Sequence, residues 1–332
     1  MSNEKTLYLE TGSTNPYYNL AFEEYVLNNR REGNILILWQ NHNTIVVGQN
    51  QNTEAEINRH FVEEHRINVI RRSTGGGAVY HDMGNLNYSF ISDSGKAEEL
   101  TFTRFTTPIV NALESMGAKA EASGRNDILI EGHKVSGTAQ RVVKGRVLHH
   151  GTLLYESNPD MVAGALNVDP EKFRSKSAKS VRSRIGNIKD YMNEEMTLGE
   201  FWDRLRTALT QGEMEMGRLT DEELKEVLKL KEEKYDTWEW NYGRSPKFDM
   251  QRKRYWDGGV LEVLAAVDHG YITEMKFYGD FLAVKPLDVL VEELKGKPFT
   301  KEALLEVLEK YEMTEYFGGI SLEEVISTVF ED

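Results

Sequence analysis

The sequence predicts an α/β protein built as two domains, and three observations carry that reading. Strand-like and helix-like segments are mixed along the whole chain. At 332 residues the chain is long for a single hydrophobic core. A segment that is first aromatic and then rich in turn formers, TWEWNYGRSPKF (237–248), marks a boundary, so the expected domains are 1–248 and 249–332.

The elements follow in order. Asn15 and Pro16 read as an N-cap and first helical residue, opening a helix through YYNLAFEEYVLNN. ILILWQ (35–40) and TIVVGQ (44–49) read as strands separated by a short polar turn. NTEAEINRHFVEEH is a helical stretch leading into the strand INVIRR. In NLNYSF, Leu86, Tyr88 and Phe90 alternate with Asn85, Asn87 and Ser89, the pattern of a half-buried strand. FTRFTTPIVNALESMG reads as a helix with Pro108 near its first turns. Residues 126–156 read as a run of strands, with turns near Glu131-Gly132 and at Lys144-Gly145. The rest of the first domain is expected to be mostly helical. Thr197-x-x-Glu200 and Thr220-x-x-Glu223 there fit capping boxes. In the second domain VLEVLAAVD and YITEMKFYG read as strands, followed by two helices.

Composition narrows the function. Hydrophobic residues make up 39% and aromatics 10%, which suits a folded globular protein. No run of about 18 apolar residues predicts a membrane span. The polar start MSNEKTLYLETG lacks an apolar signal core, so a cytoplasmic protein is expected. Cysteine is absent, which excludes disulfides, thiolate metal sites and a cysteine nucleophile. The net charge of −14 argues against general nucleic-acid binding. From Gln251 onward 9 Lys and Arg stand against 17 Asp and Glu, a net of −8. By contrast KFRSKSAKSVRSR (172–184) holds six basic residues and no acid.

The densest chemistry lies in RRSTGGGAVYHDMGN, Arg71 to Asn85. Consecutive glycines let backbone N–H groups approach an anion with no side chain in the way, and phosphate is the usual anion. The GxxxxGK[ST] pattern of a Walker A loop is missing. The dinucleotide fingerprint fails too, because its third glycine position is Tyr80 and a strand follows in place of a helix. A phosphate would then be held without a helix N-terminus, with Arg71 and Arg72 supplying positive charge. The plain alternative is a tight strand-to-strand turn. Two arginines before the glycines and His81 after them favour a ligand.

Three further segments bear on the site. In HKVSGTAQR, strict alternation puts Lys134, Ser136 and Thr138 on one face and Val135, Gly137 and Ala139 on the other. A lysine facing water at a sheet edge is the ordinary reading of such a position. In LHHGTLL, His149 and His150 point to opposite faces, which argues against a shared zinc ion. In GRNDILI, Asn126 and Asp127 precede a strand, where a carboxylate either meets Mg²⁺ or caps a turn.

Taken in order, RRSTGGGAVYHDMGN, GRNDILI, HKVSGTAQR, LHHGTLL and SVRSRIGN closely resemble the lipoate–protein ligase family, and TWEWNYGRSPKF resembles its join to a small accessory domain. The resemblance covers nearly the whole chain. It implies a mixed-sheet catalytic core of the biotin/lipoate protein ligase type, flanked by helices, with a smaller α/β domain. It also implies a reaction: lipoate and MgATP give lipoyl-AMP and pyrophosphate, and a lysine of a lipoyl domain then takes the lipoyl group. The acceptors implied are the glycine cleavage H protein and 2-oxoacid dehydrogenase acyltransferase subunits, and a monomer is expected.

By the same resemblance Arg72 and the loop Gly75, Gly76, Gly77, Ala78, Val79 and Tyr80 hold nucleotide and acyl group, with Asn85 at the adenylate. Lys134 matches the family's essential lysine, which contacts carboxyl and phosphate oxygens and reverses the edge-lysine reading. Trp39, Arg72, Thr74, His81 and Lys134 are expected at the lipoate, and Asp127 at Mg²⁺ or the incoming amine. The basic stretch 172–184 resembles a loop that closes over the adenylate, mobile when free and ordered by lipoyl-AMP. Thr74 stands where many members have serine, and Gln140 where an aromatic is common beside the pocket. An acyl transferase of the same fold is disfavoured because it needs a cysteine nucleophile. A biotin ligase is disfavoured by the unbroken glycine run, and a non-catalytic scaffold by Arg72, Gly75 to Gly77 and Lys134.

Overall fold

The computed structural model of the protein describes residues 5–95, 101–124, 126–166, 184–242 and 250–330. The basic stretch up to 183 and the expected boundary at 248 lie outside the described residues. The strands of the first part are β1 (Thr6–Glu10), β2 (Ile35–Trp39), β3 (Thr44–Val47), β4 (Asn68–Arg71), β5 (Val79–His81), β6 (Asn85–Asp93), β7 (Ala120–Ser123), β8 (Asp127–Ile130), β9 (His133–Val143), β10 (Arg146–Leu154) and β11 (Met214–Met216). The helices are α1 (Pro16–Asn29), α2 (Thr53–Glu56), α3 (Arg59–Glu64), α4 (Phe102–Ser115), α5 (Pro159–Ala165), α6 (Leu198–Thr210), α7 (Asp221–Leu230) and α8 (Trp238–Asn241).

A mixed sheet of eight strands runs β11-β1-β2-β6-β10-β9-β8-β7. β11, β1 and β2 run parallel to one another, and every pairing from β2 across to β7 is antiparallel. The turns at Glu131-Gly132 and Lys144-Gly145 hold both residues at positive φ (50° and 79°, 47° and 80°), the geometry that matches strand twist in a two-residue hairpin. A second sheet, β4-β3-β5, sits beside the first. The two neighbouring apolar strands of the sequence, β2 and β3, therefore serve different sheets.

Helices cover both faces of the large sheet. Leu86, Tyr88, Leu36 and Tyr8 pack under Ile109 and Leu113 of α4 and Phe201 and Leu205 of α6. Ile35, Ile37 and Trp39 pack under Leu20 and Val26 of α1 and Val227 of α7. Asn15 caps α1, its side chain accepting from the Tyr17 and Tyr18 N–H groups, and both Thr-x-x-Glu capping boxes form.

The structure departs from the sequence reading in places. Segment 52–65 forms two short helices, because Ile57 is extended and bridges Leu166 while Asn58 restarts the chain by capping Phe61. β6 is buried on both faces. Asn85, Asn87 and Ser89 are 0%, 1% and 0% exposed, since α1 and the glycine loop cover the side that alternation assigned to water.

The second part is an antiparallel sheet, β12 (Met250–Trp256), β13 (Gly259–Asp268) and β14 (Tyr271–Gly279), under α9 (Asp288–Leu294), α10 (Lys301–Leu308), α11 (Met313–Phe317) and α12 (Leu322–Phe330). Four helices stand where two were expected, with Gly296 and Gly318 at positive φ at two of the breaks. This part docks on the first through backbone bonds. Gly279 N–H donates to Asn50 O (2.6 Å), Gly76 N–H to Phe281 O (3.3 Å) and Val142 N–H to Val284 O (3.1 Å).

Candidate active site

A cleft opens where the glycine loop, α1 and strands β2, β6, β9 and β10 meet. Its floor is one row across the sheet. Trp39 on β2 pairs with Asn87 on β6, and Asn87 pairs with Thr152 on β10. The Thr152 hydroxyl then accepts from the Gly137 N–H on β9 at 3.1 Å.

Lys134 reaches this floor through a bulge. Ile128 pairs with Ser136 and Leu129 with Lys134, so β9 carries one extra residue there. The extra residue breaks the alternation of the sequence reading and puts Lys134 on the side of Gly137 instead of Ser136. A Cβ at Gly137 would lie 3.1 Å from both Cε and Nζ of Lys134, so the missing side chain is what lets the lysine lie flat across the strand. Lys134 Nζ is 2.7 Å from Asp127 Oδ1. Its backbone is fixed by the last residue of the basic stretch and by the chain just after it: Lys134 N–H donates to Arg184 O (2.7 Å) and Gly186 N–H to Lys134 O (3.0 Å).

The two adjacent arginines divide their work. Arg71 is buried away from the cleft, donating to the carbonyls of Gly48, Gln49, Gln51, Trp240 and Asn241 and to the Thr53 hydroxyl. It is a structural brace, which corrects its expected place at the phosphate. Arg72 lines the cleft. It donates to Thr74 Oγ1 (3.0 Å) and to the carbonyls of Val46 (3.1 Å), Gly75 (2.6 Å) and Gly77 (2.8 Å), drawing the glycine loop around itself. Burial lowers its pKa to about 10, so it stays cationic at neutral pH. Gly75 is bare for another reason than an anion: an added Cβ would meet Phe281 O at 2.9 Å. Gly77, by contrast, faces the cleft.

A buried polar chain stands behind the cleft. Asn19 Nδ2 donates to Ser13 O, Gln40 O and Asn41 Oδ1, which orients the Asn41 amide so that its Nδ2 donates to His81 Nδ1 at 3.2 Å. His81 is therefore the Nε2–H tautomer, and that N–H has no partner among the described residues. Burial, with help from Arg72, lowers the His81 pKa to about 3, so the ring is neutral. Glu23 accepts from Ser89 Oγ (2.5 Å) and pairs with His150 Nδ1 (2.8 Å), and His150 Nε2 meets Thr74 Oγ1 (2.8 Å). Trp39 Nε1 donates to Ser89 Oγ at 2.9 Å.

Residues 15–210 match a family model described as the lipoyl protein ligase A/B catalytic domain. The chain belongs to the lipoate–protein ligase family. Residues 245–329 match the bacterial lipoate protein ligase C-terminus. Lipoate–protein ligase 1 of Staphylococcus aureus is 43% identical over 315 residues, covering 94% of this chain and 96% of that one. Among solved structures, P. falciparum LipL1 in complex with lipoate gives a TM-score of 0.81 at 27% identity, covering 98% of this chain and 100% of that one. A lipoate–protein ligase A bound with ATP gives 0.61 at 28%, covering 72% and 98%. A bipartite ligase of Thermoplasma acidophilum, described with its E2 lipoyl domain, gives 0.64 at 31%, covering 74% and 98%.

Within this ligase fold, Trp39, Arg72, Gly77, Ala78, Val79, His81 and Lys134 line one cleft. Other residues singled out in the sequence lie behind or beside it. Thr74 links Arg72 to His150, and Asn85 donates to Asn87 Oδ1 at 3.0 Å. The Tyr80 side chain points away, donating to Asn43 Oδ1 at 2.9 Å. Gln140 faces the other side of the sheet, 2.9 Å from His149 Nδ1, where His149 stacks on Phe105; it is not a cleft wall. Sequence reasoning missed Leu20, Glu23, Val46 and Asn87. For Glu23 a signal existed, since it is one of two adjacent acids, Glu23 and Glu24, in a helical stretch rich in apolar residues. For the others there was none short of the fold.

Proposed function

We propose that the protein is an ATP-dependent lipoate–protein ligase. The observation that carries this reading is the meeting of Lys134 and the glycine loop across one cleft, in a chain of this family. Activation joins two anions: the lipoate carboxylate attacks the α-phosphorus of ATP, the bond to the bridging oxygen breaks and pyrophosphate leaves. Preorganised positive charge lowers that barrier most where water is scarce. In this reading the Lys134 ammonium neutralises carboxylate and phosphate oxygens, and the N–H groups of the Gly77–Val79 segment face the nucleotide, with Tyr80 and Asn85 at the edge of that region. Arg72 holds the loop in shape and adds charge. Trp39 and His81 enclose the acyl part.

In the second step the ε-amine of an acceptor lysine attacks the anhydride carbonyl. The carbon–oxygen bond to AMP breaks, an amide forms, and the nitrogen sheds a proton. Asp127 is the carboxylate beside this point and in the free protein is already paired with Lys134. Magnesium is ordinarily held by one or two carboxylates plus substrate phosphates, so Asp127 with a bound nucleotide suits it. The ion would offset phosphate charge. The reading extends to lipoyl domains of the H protein and of 2-oxoacid dehydrogenase acyltransferase subunits as acceptors, and to a monomeric cytoplasmic enzyme, in keeping with the cysteine-free sequence.

Pyrophosphate release tests the first step. It is expected on adding lipoate to protein and MgATP, and to be absent when either substrate is withheld. No release with both present, beside an active control ligase, would overturn the reading.

A further inference from the structure

Asn87 lies in the middle of the cleft floor, 1% exposed. Its Oδ1 accepts from Asn85 Nδ2 at 3.0 Å, and its own Nδ2 has no partner among the described residues. The Nε2–H of His81, on the same cleft, is unpartnered as well. The wall thus carries two buried donors with nothing to donate to, and buried donors without acceptors are costly. Neither belongs to the Glu23–His150–Thr74 chain, and neither is needed to hold Trp39, which Ser89 already fixes.

Position in the sheet says which part of a ligand they meet. Adjacent strands lie roughly 4.8 Å apart, so Asn87 on β6 is two strands, about 10 Å, from β9, which carries Lys134. An acid whose carboxylate rests at Lys134 and whose chain follows the floor toward Trp39 brings its far end to Asn87, not its carboxyl group. A plain alkyl chain would cover both N–H groups with methylenes and displace water from them. A ring sulfur is a weak acceptor, so it relieves part of that cost.

We propose that Asn87 is a specificity-determining residue, whose amide selects an acyl chain bearing a hydrogen-bond-accepting sulfur at its distal end over a plain alkyl chain of similar length. The proposal rests on the reading of this cleft as the acid-activating site. Position 87 is not decipherable from chain spacing alone: alternation marks it as a polar strand position like Asn85 and Ser89, and only the fold separates the amide that faces the ligand from those used internally.

The test compares lipoate and octanoate as the activated acid, reading kcat/KM for pyrophosphate release. It uses the full chain, Asn87→Val and Asn87→Thr. Valine and threonine have the same shape, and threonine alone keeps a donor. The unaltered protein is expected to favour lipoate by roughly tenfold. Asn87→Val should bring the ratio to within about twofold, while Asn87→Thr keeps most of the preference. A ratio near one in the unaltered protein would overturn the proposal. So would Val and Thr variants that behave alike, whether at the original ratio or below it. Circular dichroism checks folding. If both variants unfold, the dissociation constants of the two acids for the unaltered protein decide, and equal values overturn the proposal. Failure to activate either acid would instead overturn the ligase reading itself.

Discussion

Lys134 Nζ lies 2.7 Å from Asp127 Oδ1 and passes over Gly137, where an added Cβ would come within 3.1 Å of it, placed there by a bulge that no local pattern announces. Its side chain is 37% exposed, so it carries little of the core. Lys134→Ala is therefore expected to leave the fold intact and to slow adenylate formation by roughly 10²–10³-fold, the usual effect of removing one preorganised charge. Pyrophosphate release with saturating lipoate and MgATP reads it. A rate within a few-fold of the unaltered protein would make the lysine peripheral.

Gly137→Ala probes the same placement without touching the charge. The new Cβ would sit 3.1 Å from the lysine tip, a flexible group that can move aside. Stability should change by less than about 1 kcal/mol, while activation falls roughly tenfold or more because the ammonium is displaced. Equal activity in the variant would mean that the lysine needs no such seat.

Arg71 and Arg72 are expected to fail differently. Arg71→Lys cannot reproduce a planar fork that serves carbonyls of two chain segments, 48–51 and 240–241. It leaves buried acceptors unpaired, so unfolding free energy should drop by roughly 3 kcal/mol. The KM for ATP of the folded fraction should stay within a few-fold. Denaturant titration beside steady-state kinetics separates the two. A large rise in KM at unchanged stability would return Arg71 to the binding site.

Mild acid should weaken the fold through His81 and His149. Burial lowers the His81 pKa to about 3 and holds that of His149 well below its ordinary value. The unfolded chain binds protons at these positions near pH 6.5 and the native chain does not, so stability falls as pH drops below about 6.5. The slope is at most roughly 1.4 kcal/mol per pH unit for each histidine. Denaturant midpoints at pH 7.5 and 5.5 check this. His81→Gln should lose less stability between the two than the unaltered protein, and an identical loss would show that His81 titrates freely.

What the sequence made legible was what depends on neighbours along the chain. Asn15-Pro16, the two Thr-x-x-Glu boxes and the Glu131-Gly132 and Lys144-Gly145 turns act over a few residues, and each forms as read. The site was legible as a set of residue types but not as directions. Nothing in Arg71-Arg72 says which one faces the cleft, and the extra residue in β9 moves Lys134 across the strand after the pattern has assigned its face. Asn85, Asn87 and Ser89 looked water-facing because polar alternation cannot distinguish solvent from a buried polar site. Gly75 looked like part of an anion loop, and its neighbour in space, Phe281, is far away in the chain.

The most direct test of the central claim is the mass of a lipoyl domain after incubation with this protein, lipoate and MgATP, using H protein and 2-oxoacid dehydrogenase acyltransferase domains as acceptors. The account predicts a gain of one lipoyl group on the acceptor's target lysine, dependent on ATP and slowed by roughly 10²–10³-fold with Lys134→Ala. Unchanged mass on every acceptor, with a control ligase active in parallel, would contradict it.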